Sequence, residues 1–215
     1  MTYIQITTRC NMLCDHCGFD CTTNGIDMSM STYRKALRLD DQYVYIGGGE
    51  PTIHPKFNTI LMEAISECKH IGIITNGKKA KIALLLAKLT KRRVINARLS
   101  QDIYHEPINN EVIHAFENIG KYTHIYGHDY GYEAINITED DNINNSGRAK
   151  INNIGTNNEC MCPSLFVLPT GEIKPCGCLD APIIGHVDNG YIGNENLEKD
   201  TLHYHTLKFR RCHKK

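Results

Sequence analysis

Three thiols fall within eight residues of one another, in Cys10-Asn11-Met12-Leu13-Cys14-Asp15-His16-Cys17. A closed zinc site takes four ligands and usually draws thiols from evenly spaced knuckles. The gaps here are uneven, three residues and then two, which suits iron–sulfur ligation better. A [4Fe–4S] cubane held by three thiolates keeps one iron open to another ligand, the open-position logic of catalytic metals. A zinc knuckle and a redox dithiol are the competing readings. A second Cys group lies far along the chain: Cys160, Cys162, Cys176, Cys178 and Cys212. For these, structural zinc is the stronger competitor, because four or five Cys can close a tetrahedral site.

The first group resembles the cluster loop of the radical S-adenosylmethionine (SAM) superfamily: Cys-x-x-x-Cys-x-x-Cys behind a strand, with His16 just before the last Cys. The resemblance implies that Cys10, Cys14 and Cys17 hold a [4Fe–4S] cluster whose open iron binds SAM through its amino and carboxylate groups. One electron from the reduced cluster would then break a carbon–sulfur bond, giving methionine and a 5′-deoxyadenosyl radical. Gly48-Gly49-Glu50-Pro51 resembles the family's Gly-Gly-Glu element for the SAM amino group, and glycines permit the close backbone approach this needs. Ser100 and Asp102 resemble the fourth-strand residues that reach the SAM ribose and carboxylate, against a plain turn-forming Ser and Asp. Arg148, in Gly147-Arg148-Ala149, resembles an element near SAM in many relatives, and an Arg fork suits a carboxylate. Ten residues separate Cys160 from Gly171 and four separate Gly171 from Cys176. That spacing matches the opening half of the SPASM and twitch subdomains, which implies an auxiliary iron–sulfur cluster on Cys160, Cys162, Cys176, Cys178 and Cys212.

The elements that must position these residues alternate. Tyr3 to Thr8 reads as a strand delivering the Cys loop, Ser31 offers a cap for a helix over Tyr33 to Leu39, and Tyr43 to Ile46 is a second strand. Phe57 to Cys68 is an amphipathic helix, Ile71 to Thr75 a third strand closed by Asn76-Gly77, Ala80 to Leu89 a helix and Val94 to Ser100 a fourth strand. Such alternation predicts a parallel sheet with function gathered at the strands' carboxyl ends, where Cys10 to Cys17, Gly48 to Pro51, Asn76-Gly77 and Ser100 to Asp102 fall. The resemblance implies a partial six-unit (βα) barrel, an α/β fold. Glu111 to Ile119 can be a helix and Tyr122 to Tyr126 a strand, but the interval before Ala134 to Ile137 is too short for a parallel crossover. The fifth and sixth units are therefore expected to be shortened or partly antiparallel. The loop-rich stretch from Glu139 to Asn158 places a boundary near 150, giving a barrel over 1–150 and a Cys-rich subdomain over 151–215, in which Leu165 to Cys176 reads as a β-hairpin.

Apolar residues at 41% and charged residues at 22% are near globular averages, which argues against disorder. No run is apolar and long enough to span a membrane, and the N-terminus lacks the pattern of a signal peptide, so a cytoplasmic protein is expected. Ten Cys in such a chain point to metal or redox use rather than disulfides. Formal charge is zero, but Lys208 to Lys215 holds five Lys or Arg and no acid. The remainder is thus acidic, which argues against a nucleic-acid-binding body. His54 reads as structural, Cys21 and Cys68 as ordinary thiols, and Tyr104, Tyr126 and Tyr130 as packing residues or pocket lining. The expected activity is radical modification of a substrate, a peptide or protein being favoured because twitch and SPASM modules most often accompany that chemistry. A nucleotide, a nucleic acid base or another small molecule is the alternative, and a non-catalytic metal-binding module the alternative of another class. A flavodoxin or ferredoxin is the expected reductant.

Overall fold

The computed structural model describes residues 2–39, 43–67, 70–119, 135–137, 143–156 and 165–191. Expectations that fall on Cys68, on residues 122–134, on Cys160 and Cys162, and on the tail with Cys212 lie outside them. Strands β1 (Thr2–Thr7), β2 (Tyr43–Gly48), β3 (His70–Thr75), β4 (Asn96–Asp102) and β5 (Ile135–Ile137) pair in parallel, each with its successor. Helices α1 (Met30–Leu37), α2 (Phe57–Glu67), α3 (Ala80–Lys91) and α4 (Asn110–Glu117) form the crossovers. This is the expected α/β wall of a partial barrel. The fifth strand is three residues long, short as expected, and parallel throughout.

The next described parallel strand joins the other edge of this sheet. Strand β6 (Leu165–Val167) pairs with β1, not with β5, after the short helix α5 (Gly147–Ile151). From β6 the sheet turns antiparallel through β7 (Glu172–Lys174), β8 (Gly185–His186) and β9 (Gly190–Tyr191). The Leu165 to Cys176 hairpin is present and continues the same nine-stranded sheet. Strand β1 therefore runs between two parallel neighbours.

Ile4, Ile6, Val44, Ile46, Ile71, Ile73, Leu99 and Val167 pack with Tyr33, Leu37, Ile60, Leu86 and Val112 from the helices in one buried core. The period-two pattern of β1 suggested one wet face, yet all six of its residues are buried. The opposite face is also covered: Tyr3 stacks on Phe166, with centroids 4.8 Å apart, and both meet Phe19. Burial on both faces is what central strands of parallel sheets show. Helix α1 is capped two residues earlier than expected, with the Ser29 hydroxyl accepting from the Thr32 N–H at 3.0 Å.

Candidate active site

The loop from Thr8 to Met28 leaves β1 and returns beside it, with the Cys10 N–H donating to the Thr22 carbonyl at 2.8 Å and the Met28 N–H to the Ile6 carbonyl at 2.8 Å. Cys10, Cys14 and Cys17 are half-buried, unbridged thiols on this loop. Cys10 Sγ accepts from the Met12 N–H at 3.4 Å and from Asn76 Nδ2 at 3.7 Å. Asn76, at the end of β3, also donates to Asn11 Oδ1 at 2.9 Å, and the Lys78 ammonium donates to the Asn11 carbonyl at 2.9 Å. Burial raises the Cys10 thiol, and burial with the neighbouring Cys10 and Cys17 pushes Cys14 up to about 12. Cys17 goes the other way, because the Cys21 thiol and N–H favour its charged form. Three half-buried, unbridged thiols on one loop are a donor set that a metal core could take up. Cys21, read from the sequence as an ordinary thiol, is thus a partner of Cys17.

The glycine run at the end of β2 is used for close packing. Gly48 has φ +151°, and a Cβ there would lie 2.2 Å from the Thr7 carbonyl oxygen; one on Gly49 would lie 2.2 Å from that of Arg9. The Gly49 and Glu50 N–H groups donate to those same two carbonyls, each at 2.8 Å. Glu50 is fully buried, with Oε1 accepting from the Thr52 N–H (3.1 Å), Thr52 Oγ1 (2.5 Å) and Thr75 Oγ1 (2.8 Å), and Oε2 from the Asn76 N–H (2.7 Å). It caps the single 3-10 turn Pro51–Ile53, which Pro51 opens, and ties β2 to β3. The resemblance gave Glu50 to an ammonium; in the structure its carboxylate already holds four protein donors. His54 is structural as expected: Nδ1 accepts from the Lys56 N–H at 3.0 Å, so Nε2 carries the proton donated to the Met28 carbonyl at 3.0 Å.

Strand β4 carries Ser100 and Asp102 two residues apart, hence on one face. Asp102 Oδ1 accepts from the Tyr104 N–H and faces His105 Nδ1, each at 2.8 Å. Asp102 Oδ2 lies 3.0 Å from His16 Nε2, at ion-pair distance but not aligned as a hydrogen bond. Burial would raise this carboxyl, but His105 and His16 outweigh it and hold Asp102 well below the usual range. His16 also packs on the Tyr104 ring at 5.0 Å, so the cluster loop leans on the end of β4. His16, Asp102 and His105 bring three ligand atoms within 4.8 Å of one another, a group that could take a metal ion, though here the imidazoles face the carboxylate. At this corner His16 Nδ1 is buried without a hydrogen bond and Asp102 Oδ2 has only its His16 contact, whereas Gln101 Oε1, also without a bond, belongs to the neighbouring residue of β4, whose side chain points to the other face. Buried polar atoms left unpaired cost about 1–3 kcal/mol each and mark where a polar ligand would complete the bonding. A ligand with hydroxyl, amino and carboxylate groups fits that corner.

Arg148 departs from its expected place. Its Nη1 donates to the Cys14 carbonyl at 2.7 Å, Nη2 to the Cys21 carbonyl at 2.6 Å and Nε to Asp20 Oδ1 at 3.1 Å. A SAM carboxylate would have to displace one of these bonds, so the structure gives Arg148 to the loop and not to the ligand. Cys176 is buried and Cys178 half-buried at the foot of the hairpin, whose turn at Gly171 has φ +96°. The buried Lys174 ammonium donates to the Cys178 and Leu179 carbonyls at 2.9 and 3.0 Å. Lys78 and the pairing of Cys21 with Cys17 are features that no sequence motif marked, whereas Asn76-Gly77 stood out at a strand end and His105 lies in the segment after β4 that resembles the family's element.

The family described as Radical SAM superfamily matches residues 4–141. The chain belongs to the radical SAM superfamily. Membership places it among enzymes whose cofactors are a [4Fe–4S] cluster and SAM, and the thiol set and the unpaired atoms at the end of β4 fit both. This radical SAM chain is 31% identical over 118 residues to the antilisterial bacteriocin subtilosin biosynthesis protein AlbA of Bacillus subtilis, a match covering 52% of the chain and 25% of AlbA. It is 29% identical over 135 residues to YydG of the same organism, provisionally named a peptide biosynthesis protein, covering 57% of the chain and 42% of YydG. The chain thus spans less than half of these relatives in the matched stretches. Among solved structures, anSMEcpe with bound AdoMet superposes with a TM-score of 0.56 at 14% identity, covering 97% of this chain and 83% of that one, a likeness of fold.

Proposed function

We propose that this chain is a radical SAM enzyme that cleaves SAM reductively and directs the resulting radical to a peptide or protein. The observation that carries it is the half-buried thiol set Cys10, Cys14 and Cys17, on a loop whose His16 meets Asp102 at the end of β4. In this reading the three thiolates hold the cluster, which supplies one electron, while SAM supplies the carbon radical. Ser100 and Asp102 orient the ribose and carboxylate, His16 packs against the cofactor, and the Gly48, Gly49, Glu50 and Pro51 turn borders its amino group. Asn76 and Cys21 stabilise thiolate charge by donating to Cys10 and Cys17. The names of AlbA and YydG support a peptide substrate. We assign an auxiliary cluster to residues 151–215, whose strands β6 to β9 extend the sheet of the 1–150 barrel from β1, with Cys160, Cys162, Cys176, Cys178 and Cys212 as its ligand pool. No helix among the described residues is long and apolar enough to cross a membrane; we place the enzyme in the cytoplasm, with a flavodoxin or ferredoxin as reductant.

The test is anaerobic purification, iron reconstitution and assay of 5′-deoxyadenosine released from SAM under dithionite. Wild type is expected to release it, and Cys10→Ala, Cys14→Ala and Cys17→Ala are each expected to release none. A colourless, zinc-loaded wild type without SAM cleavage refutes the reading. The substrate class is checked by mass spectrometry of short peptides encoded beside the reading frame: a mass change dependent on SAM supports it, and turnover of nucleotides alone overturns it.

A further inference from the structure

We infer that Arg148 is a positioning residue that locks the cluster loop from behind and makes its cluster easier to reduce. The segment 144–152 grips the loop from Cys14 to Cys21. The Arg148 N–H donates to the Cys17 carbonyl at 2.9 Å, its guanidinium reaches the Cys14 and Cys21 carbonyls and Asp20, Ser146 Oγ donates to the Gly18 carbonyl at 3.1 Å, and Asn152 Nδ2 donates to the Asp15 carbonyl at 3.0 Å. Two of the three cluster-loop cysteines therefore have their carbonyls fixed by one residue. Gly147 stands where no side chain fits: its φ is +53°, and a Cβ would lie 2.5 Å from the Gly18 carbonyl oxygen. Asp20 is itself held at φ +50°, a conformation that a non-glycine residue keeps only when its surroundings impose it.

The electrostatic half of the inference follows from the same contacts. The Arg148 side chain is 12% exposed, so its charge acts through a medium of lower dielectric than water, partly neutralised by the more exposed Asp20. A guanidinium stays protonated at any working pH. A fixed positive charge behind the loop lowers the free energy of the more negative, reduced state of any cluster held there, and so favours uptake of one electron from an external reductant. This inference rests on the cluster assignment proposed above, and the experiment separates the two.

The full chain is prepared anaerobically as wild type, Arg148→Lys and Arg148→Gln. Without iron, hydrogen exchange is followed at the amides of 13–22 and in β2 and β3. With iron, the reduced fraction of the cluster is read by electron paramagnetic resonance in a dithionite-poised titration. Arg148→Gln is expected to speed exchange at least tenfold in the loop and leave β2 and β3 unchanged. It is also expected to lower the ratio of reduced to oxidised cluster about tenfold at a fixed potential, which for one electron is about 59 mV. Arg148→Lys is expected to recover the ratio, by charge, but not the loop protection, which needs the fork. Arg148→Gln with wild-type exchange and a wild-type titration overturns the inference. A wild type that takes up no iron overturns the cluster assignment, and the potential claim with it, whereas the loop lock then stands or falls on the exchange data alone.

Discussion

Glu50→Gln separates a structural carboxylate from a ligand-binding one. Glu50 has no exposed surface and accepts four hydrogen bonds, two from Thr52 in the turn after β2 and two from Thr75 and Asn76 at the end of β3. Glutamine keeps one carbonyl oxygen for the Thr52 and Thr75 donors, but turns an amide NH2 toward the Asn76 N–H, so that donor meets donor. The loss is one bond to a charged acceptor and one unsatisfied donor, offset in part by removing a buried charge, for a net cost of about 2–4 kcal/mol. For a chain of 215 residues that lowers Tm by about 4–16 °C, measured by circular dichroism on the protein without iron or SAM. Burial raises the Glu50 carboxyl despite its donors. The folded value thus lies above the unfolded one, so the stability this group contributes is complete below the unfolded value and is lost as pH rises through the folded value. An unchanged Tm combined with weakened SAM binding would show that the carboxylate serves the ligand and not the fold.

Two further outcomes are expected. Gly49→Ala should cost several kcal/mol, because its Cβ would press on the Arg9 carbonyl oxygen at 2.2 Å; wild-type denaturant stability in that variant would contradict the close β1–β2 approach. The triple variant Cys10→Ala, Cys14→Ala, Cys17→Ala, reconstituted without oxygen, should keep about four irons per chain on the second Cys group if that group holds a cubane, whereas zinc or no metal would exclude an auxiliary cluster.

Most of the first four βα units was legible because β1 to β3 are rich in β-branched and aromatic residues, Val94 and Ile95 lead into β4, and each helix carries spaced apolar residues ahead of a turn. The thiol spacing and the glycine run were legible for the same reason: their chemistry is local in sequence. What escaped depends on contacts between distant segments. Nothing near Arg148 announces that its fork meets carbonyls more than 120 residues away, and a lone Arg in a polar loop reads equally as a ligand grip. Glu50 read as a ligand because two of its donors, Thr75 and Asn76, stand at the end of β3, some 25 residues along the chain. The pairing of β6 with β1 was hidden because three-residue strands carry no register signal of their own.

That pairing has a consequence for how the chain matures on the ribosome. β1 emerges early, yet its second neighbour is not made until Leu165–Val167, and the aromatic lid of Phe166 over Tyr3 and Phe19 arrives with it. At about 5–20 residues per second, translation leaves the nascent thiol loop without its later contacts for roughly 8–30 s. Closing so long an interval carries a loop entropy that local hairpins avoid. The loop from Cys10 to Cys17 is therefore synthesised well before the strand that completes the sheet beside β1.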